Sequence, residues 1–431
     1  MIKRFPNILP GLIILLLLLQ GCAALFPPEA KESEVAPMYN PSEYSLNIDY
    51  KIYHISDMLT SLYIRIFPGE LLFNSANSEA ELRANVRIRY QIYELDEEDK
   101  VLAKVDSSEF LVKIGGEAQN QTAYFANKTL RVPAGKKYLV RLDSKDVLRG
   151  TIGLRHLYID KSDVYGSQNF SVLSPVTNYP KFLNYFAQGE VFRLDYRLPG
   201  IDTIYVDYYK PDHSIPRPQV VLDGPSFFTR IPDTTMIMSF ADTLIYTLPF
   251  TGMYHFRIDT LHHGGITLHN YGTSYPQVKT DTDLMEPLFY IATMAEYRSL
   301  QRSHNVKRAV DDFWLERTSS MDRSRELIRV YYNRVLYSNL YFIADREGWK
   351  TDQGMIYILF GPPDRIRDTG NEQQWYYISR KQQKIIRFTF QRKPGQFSNQ
   401  ELEWKKTTET LQYWSAAVSS WRSGKVYTFN K

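Results

Sequence analysis

Two carboxylates close to aromatic side chains are the best candidates for chemistry in this sequence. Asp352 and Asp364 stand in one stretch of the chain with Trp349, Tyr357 and Arg365. Glycosidases use a pair of carboxylates in this setting, one as the acid and the other as the base or nucleophile. Both aspartates also stand beside turn residues, where Asp is common because its side chain bonds the local backbone. The sequence leaves catalysis open and favours the backbone role.

Other catalytic sets are absent from the sequence. His304 is the only histidine after residue 285, and no Ser or Cys in that region has a matching histidine context. The chain has no nucleophile elbow, no phosphate-binding loop and no zinc-binding motif. We therefore predict neither a cofactor nor a metal site.

Four histidines lie close together in the region before it: His255, His262, His263 and His269. A metal site needs three or four ligands that converge with a fixed geometry. Adjacent residues of a strand point to opposite faces, so His262 and His263 would not converge on one ion. We predict loop and surface histidines around the turn at 264–265.

The N-terminus has the pattern of an export signal. Lys3 and Arg4 precede an unbroken apolar run at 12–19, which is too short to span a bilayer. The run ends in Leu19-Gln20-Gly21-Cys22, which resembles a bacterial lipoprotein signal. The resemblance implies cleavage after residue 21, acylation of Cys22 with palmitate among the acyl chains, and a nearly permanent membrane anchor.

The residues after Cys22 indicate which membrane the lipoprotein would be anchored to. An Asp directly after the cysteine would resemble an inner-membrane retention signal. Residue 23 is Ala instead, so we expect the outer membrane. Acidic residues do not follow the cysteine directly, which favours a periplasm-facing position. Residues 22–43 are rich in Pro, Glu, Ala and Ser and predict a flexible tether. Cys22 is the only cysteine, so no disulfide forms within the chain.

The composition indicates a folded, multidomain protein and argues against nucleic acid as a partner. A chain of 431 residues predicts several domains, and 43% hydrophobic with 23% charged residues is ordinary for folded protein. The net charge of +4 falls to +2 once Lys3 and Arg4 leave with the leader. We therefore predict no nucleic-acid binding, which needs a concentrated basic face. The 32 tyrosines favour half-buried strands and adaptable binding surfaces.

Two strand-rich regions follow, at 44–160 and 161–280. Residues 83–93 alternate between apolar and polar, as in a strand with one face on a core. Residues 191–196 and 203–209 show similar strand patterns and end at Pro- or Gly-containing turns, and 219–222 adds another strand. We predict two β-sandwich (Ig-like) domains.

The last third of the chain has helical patterns. Thr293 and Glu296 form a capping box, which predicts a helix to about residue 301, and Asn305 predicts the cap of a second helix. An apolar stripe predicts a third helix over about 322–343, with Arg334 among the arginines on its outer face. Residues 355–360 fit a strand by composition and a helix by the Thr351 cap and the Gly-Pro stop, so the residues leave both open and a similarity given below favours the helix.

The stretch Gly348-Trp349-Lys350-Thr351-Asp352 resembles the motif of the GWxTD domain family. Further blocks at 313–314, 331–335, 354–364 and 375–377 extend the resemblance over 285–410, before a C-terminal segment at 411–431. The family is typical of exported proteins and lipoproteins and has no established activity, so the resemblance implies no catalytic residues. The residues that we expect to shape the motif, with binding left open, are Gly348, Trp349, Thr351, Asp352, Gly354, Gly361, Pro362, Pro363, Asp364 and Trp375.

The same stretch is similar to the small lipoprotein of the outer-membrane β-barrel assembly machinery. There a helical hairpin packs on a small antiparallel sheet. The similarity predicts hairpin strands at 374–378 and 384–390. The segments around Trp404 and Trp414 would close that sheet or form a final helix over 408–421.

These observations predict a multidomain envelope lipoprotein, mainly β and then helical or α+β. We expect it to act as a non-catalytic scaffold or interaction protein in an outer-membrane complex, with envelope proteins as partners. The alternative is a glycan-binding or glycan-active lipoprotein. It would use exposed Trp and Tyr rings as platforms and the carboxylates of Asp352 and Asp364 for chemistry.

Overall fold

The computed structural model describes residues 33–34, 39, 46–75, 81–211, 231–318, 320–344, 346–368, 372–379, 381, 383–392, 397 and 402–429. The predicted leader at 1–21, the lipidation site Cys22 and the predicted strand at 219–222 lie outside these residues. The described part is mostly β, with antiparallel sheets in its N-terminal half and helices concentrated in its C-terminal part.

Two antiparallel sheets make up the first β unit. One has the order β2-β3-β6 and the other β5-β4-β7-β8. Their strands are β2 Ile48–His54, β3 Leu59–Ile66, β4 Arg83–Leu95, β5 Val101–Gly115, β6 Tyr124–Arg131, β7 Lys137–Asp146 and β8 Ile152–Asp160. The alternation predicted in β4 is present, because Val86, Ile88 and Ile92 are buried while the arginines between them are exposed. Both sheets contribute side chains to one hydrophobic cluster.

The second β unit also has two antiparallel sheets, with the orders β13-β10-β9 and β12-β11-β14-β15. Its strands are β9 Phe170–Leu173, β10 Val191–Tyr196, β11 Thr203–Tyr209, β12 Thr234–Ser239, β13 Ile245–Thr247, β14 Gly252–Arg257 and β15 Ile266–Asn270. These sheets share a second hydrophobic cluster rich in Phe and Tyr. The chain then leaves β15 for the helical region.

Six α-helices are described after the second β unit. They are α1 Asp281–Met285, α2 Met294–Arg302, α3 Val306–Leu315, α4 Met321–Tyr341, α5 Asp352–Phe360 and α6 Thr408–Arg422. The capping box of Thr293 and Glu296 is present, and the Asn305 side chain caps α3. The favoured helix over 355–360 is confirmed as part of α5. Within the described residues no helix is long and apolar enough to cross a bilayer.

A five-stranded antiparallel sheet completes this part of the molecule, in the order β1-β16-β17-β18-β19. Its strands are β1 Ser33–Glu34, β16 Arg365–Asp368, β17 Glu372–Ser379, β18 Lys384–Arg392 and β19 Leu402–Lys405. The predicted hairpin is confirmed as β17 and β18, β19 pairs with β18, and the final helix is α6. The sheet and the helices enclose a single large core rich in Trp and Tyr.

The structure corrects two predictions about contacts made by the C-terminal part. Arg334 does not lie on the solvent face of α4, because its guanidinium bonds the backbone of α5. The predicted tether at 22–43 is not wholly free either. The backbone of Ser33–Glu34 pairs with β16, and Tyr39 is buried in the core of the C-terminal part. Both errors concern contacts between segments far apart in sequence, which composition does not register.

Candidate functional site

The candidate site surrounds helix α5, which lies at the centre of the C-terminal core. All residues from Gln353 to Phe360 are buried. The helix packs against α4, α6 and β19, and it follows directly on a short 3₁₀ turn at Gly348–Lys350. A helix buried on every side has no solvent to satisfy its ends, so its terminal N–H and C=O groups need protein partners.

Two glycines allow the motif to pack directly on neighbouring backbone. A Cβ atom on Gly348 would lie 2.0 Å from the carbonyl oxygen of Ser338 in α4. A Cβ on Gly354 would lie 2.0 Å from the carbonyl oxygen of Gly348. Side chains do not fit at these distances, so glycine at both positions is required by close approach.

Trp349 is an anchor beneath the 3₁₀ turn. Its side chain is buried, and its ring meets the Tyr290 ring edge-on at a centroid distance of 5.9 Å. Its backbone N–H donates to Asn339 Oδ1 at 3.1 Å, and its carbonyl accepts from the Tyr290 hydroxyl at 2.8 Å. The ring therefore presents no face to solvent.

Thr351 and Asp352 organise the start of α5. The Thr351 hydroxyl accepts from the Gly354 N–H at 3.0 Å and donates to the Gly348 carbonyl at 2.7 Å, which is an N-cap bond combined with a turn bond. Asp352 Oδ2 accepts from the backbone N–H of Trp404 at 2.8 Å and so ties the helix to β19. A carboxylate in the first helical turn also complements the positive end of the helix dipole.

Gly361, Pro362 and Pro363 end the helix. Gly361 has φ +82°, a left-handed value that favours glycine, and its N–H closes the last turn on the Tyr357 carbonyl at 2.8 Å. Its own carbonyl accepts from the Tyr377 hydroxyl at 2.8 Å. Neither proline has an N–H to offer to the helix.

Asp364 follows this stop and is exposed, unlike the rest of the motif. Its Oδ2 accepts from the Ile378 N–H at 2.7 Å, and its own N–H donates to the Tyr376 carbonyl at 2.9 Å. Asp352 and Asp364 therefore lie at opposite ends of α5, each bonded to the backbone of the adjoining sheet.

Trp375 lies on β17 and is fully buried. Its indole N–H donates to Gln373 Oε1 at 2.7 Å, and the same oxygen accepts from the Gln353 amide at 2.8 Å. The ring lies 5.4 Å from Phe342 and 5.0 Å from Phe390. It is a core side chain with its polar atom satisfied.

Arg334 is the main residue of the site that sequence reasoning missed. Its Nη1 donates to the carbonyls of Ile358 and Leu359 at 3.0 and 3.1 Å, which are orphan acceptors at the end of α5. Burial lowers the pKa of this guanidinium to about 10, so it keeps its charge at neutral pH. A helix followed by Gly-Pro-Pro does indicate that its last carbonyls need an outside donor, but not which one.

Lys350, the variable residue of the motif, is also buried. Its ammonium lies 3.1 Å from Glu347 and 3.8 Å from Glu286, and 5.3 Å from the centroid of the Trp349 ring. Both glutamates and Trp349 also line a cavity of about 40 Å³, together with Tyr271, Tyr275 and Asn339 among others. That volume suits a water molecule or two and not a substrate.

The histidine prediction was half wrong. His262 and His263 are exposed, as predicted, whereas His255 and His269 are buried on β14 and β15. The His255 ring bonds the Thr267 hydroxyl and the His263 carbonyl, both at 2.9 Å, and burial lowers its pKa to about 4. Among the described residues no group of three or more His, Cys, Asp or Glu is placed to hold a metal ion.

The geometry thus defines an α+β domain in which a short capped motif fixes a fully buried helix between α4, α6 and a sheet. Residues 252–423 match the model of the GWxTD domain, and the chain therefore carries a GWxTD domain. The match begins inside the second β unit, before the boundary predicted at 285, and it includes all of α6 and the predicted C-terminal segment as far as residue 423.

Comparisons with curated proteins and solved structures assign no further family to this chain. The search of curated proteins finds no match. Among solved structures, a Bacteroides uniformis β-glucuronidase 2 matches 28% of this chain and 14% of its own at 13% identity and a TM-score of 0.15. A putative β-galactosidase from Bacteroides fragilis matches 28% and 16% at 12% identity and a TM-score of 0.16. A red sea bream transglutaminase matches 54% and 32% at 10% identity and a TM-score of 0.19. This chain spans less than a third of each of these proteins, and likenesses this weak carry no argument about function.

Proposed function

We propose that this protein is an outer-membrane lipoprotein, anchored through lipid on Cys22 and facing the periplasm, that acts as a non-catalytic scaffold in an envelope complex. The GWxTD domain is its structural module, and envelope proteins are its partners. The two β units are proposed to be Ig-like sandwiches, and the GWxTD match overlaps β14 and β15 of the second unit. Their support is that, in each unit, two antiparallel sheets share one hydrophobic core.

The non-catalytic assignment rests on the hydrogen-bond partners of the motif's polar atoms. Thr351 and the carboxylates of Asp352 and Asp364 bond backbone groups, and the rings of Trp349 and Trp375 are buried. A catalytic pair needs carboxylates that face one substrate-sized space, and these two stand at opposite ends of α5. Their arrangement is that of groups that hold a fold.

The glycan alternative finds no support in this site. A stacking platform must expose the face of a ring, and neither Trp349 nor Trp375 does so. The small cavity beside Trp349 does not admit a sugar. An exposed groove lined by Arg298, Arg302 and neighbouring small side chains does exist on α2, but no ring lines it.

The anchor is tested first. The full chain is expressed in a Gram-negative host with an alkyne analogue of palmitate, beside a Cys22→Ser variant. We expect the analogue on the wild type, which fractionates with outer membranes, and no label on the variant. A wild type that stays unlabelled and soluble overturns the lipoprotein proposal.

The scaffold role is tested by a census of partners. Envelopes are crosslinked, solubilised in detergent and subjected to affinity purification through a C-terminal tag. We expect stoichiometric outer-membrane proteins with the wild type and their loss with Cys22→Ser. Recovery of no partner after crosslinking overturns the scaffold role, and specific retention on a glycan array would favour the alternative.

A further inference from the structure

We infer that Ser33, Glu34 and Tyr39, here called the anchor segment, belong to the GWxTD domain, so that the lipid anchor holds this domain, and not the first β unit, next to the bilayer. The inference rests on the proposed lipidation of Cys22. It reverses the expectation from sequence order, by which the first β unit would follow the anchor directly.

The first support is strand addition. The backbone of Ser33–Glu34 pairs antiparallel with Asp368 and Arg367, and it forms the edge of the five-stranded sheet. An added strand satisfies N–H and C=O groups of β16 that an open edge would leave exposed. The anchor segment therefore extends the sheet that covers α5.

The second support is the burial of Tyr39. The side chain is 8% exposed, and its ring lies 4.9 Å from Phe342 and 5.5 Å from both Tyr341 and Trp375. Burial raises the pKa of its phenol to about 12, as expected for a ring inside a core. Removing this ring would leave a cavity in the core of the domain.

A third contact fixes the backbone as well as the ring. The hydroxyl of Tyr357, in the middle of α5, donates to the Tyr39 carbonyl at 2.9 Å. Tyr357 is buried, so this bond is shielded from water. The segment thus contacts both the sheet edge and the central helix of the motif.

The length of chain between the lipid and this docked strand limits how far the GWxTD sheet can lie from the bilayer. Eleven residue steps separate Cys22 from Ser33, which allow at most about 40 Å even when fully extended. The next described residue after Tyr39 is Leu46, whose N–H bonds the Ile152 carbonyl at the edge strand β8 of the first unit. The anchor therefore reaches the GWxTD sheet first and the first β unit only after it.

The experiment measures which unit lies nearer the membrane. In a chain whose only cysteine is acylated, an introduced cysteine is the sole free thiol for a fluorescent donor. Gln391→Cys places the donor on the exposed face of β18, and Lys104→Cys places it on β5, three strands away from β8. The lipidated proteins are reconstituted in phosphatidylethanolamine–phosphatidylglycerol vesicles that carry an acceptor lipid.

We expect greater energy transfer from position 391 than from position 104. Tyr39→Ala should remove this difference because it releases the segment and lengthens the free tether. Twenty Gly-Ser residues inserted between 22 and 33 leave docking intact and should lower transfer from position 391. Equal transfer from both positions in the otherwise wild-type chain, or greater transfer from position 104, overturns the inference. Failure of the wild type to bind vesicles any better than Cys22→Ser would instead overturn the proposed lipidation.

Discussion

The Arg334 guanidinium donates a 3.0 Å hydrogen bond to the carbonyl oxygen of Ile358, across the interface between α4 and α5. A second bond from the same nitrogen reaches Leu359, whose carbonyl also accepts from the Trp421 indole N–H at 3.0 Å. One cation and one indole thus satisfy the carboxyl end of the buried helix. Because Ile358 and Leu359 are fully buried, solvent cannot take over these bonds.

Arg334→Met is expected to destabilise the GWxTD domain by about 2–4 kcal/mol, because it leaves buried carbonyls without their charged donor. Chemical denaturation followed by tryptophan fluorescence measures the loss. Arg329→Met, on the exposed side of the same helix, is the matched control and should change little. Similar unfolding curves for both variants would contradict the role assigned to Arg334.

Gly348→Ala and Gly354→Ala should each cost about 3 kcal/mol or more, since the new methyl group meets backbone that cannot move aside. Thermal unfolding and soluble yield report the effect. Gly69→Ala is the matched control, because a Cβ there meets nothing within 4 Å. Tolerance of alanine at both motif positions would show that the close approach is not needed.

Asp352→Asn and Asp364→Asn should preserve the fold and partner recovery, because the amide oxygen still accepts the bonds from the Trp404 and Ile378 N–H groups. Asp352→Ala should cost about 1–2 kcal/mol, since it leaves one of these donors unpaired. Crosslinking yield and melting temperature are measured together. Loss of crosslinking in a stably folded Asn variant would contradict a purely structural role for that carboxylate.

The hydrogen bonds of Glu296 predict that the folded protein loses stability in acid. Burial alone would raise its pKa, but hydrogen bonds from Arg422 and from the Thr293 N–H outweigh this effect and lower the pKa to about 2. A carboxyl with a lowered folded-state pKa stabilises the protein above its unfolded pKa, and this stabilisation is lost as the pH falls from about 5 toward 2. After screening by solvent, we expect it to be on the order of 1 kcal/mol.

The free energy of unfolding, measured between pH 7 and pH 3, tests this expectation. Glu296→Gln should lower stability at pH 7 and flatten the decline with acid. Glu326→Gln, at an exposed pair with Arg329, should leave the profile unchanged. A Glu296→Gln profile parallel to that of the wild type would remove Glu296 from the acid response.

Local signals were sufficient for much of the domain. Thr293 and Asn305 cap helices because their side chains reach N–H groups three residues away, and such distances are fixed by the chain itself. The same reasoning holds for Thr351 at the start of α5, and Gly361 ends that helix because glycine adopts a positive φ without strain. Alternation in β4 likewise follows from the period of a strand, whereas the hairpin of β17 and β18 was predicted from a similarity to another protein.

Only the tertiary structure decided the contacts between distant segments. No spacing rule brings Arg334 to Ile358, places His255 beside Thr267 in a core, or carries Tyr39 to Tyr357. Each of these polar groups could equally face water in an isolated helix, strand or linker. The burial of α5 makes partners necessary for its terminal carbonyls and for the Tyr357 hydroxyl, and the burial of β14 does the same for the His255 ring.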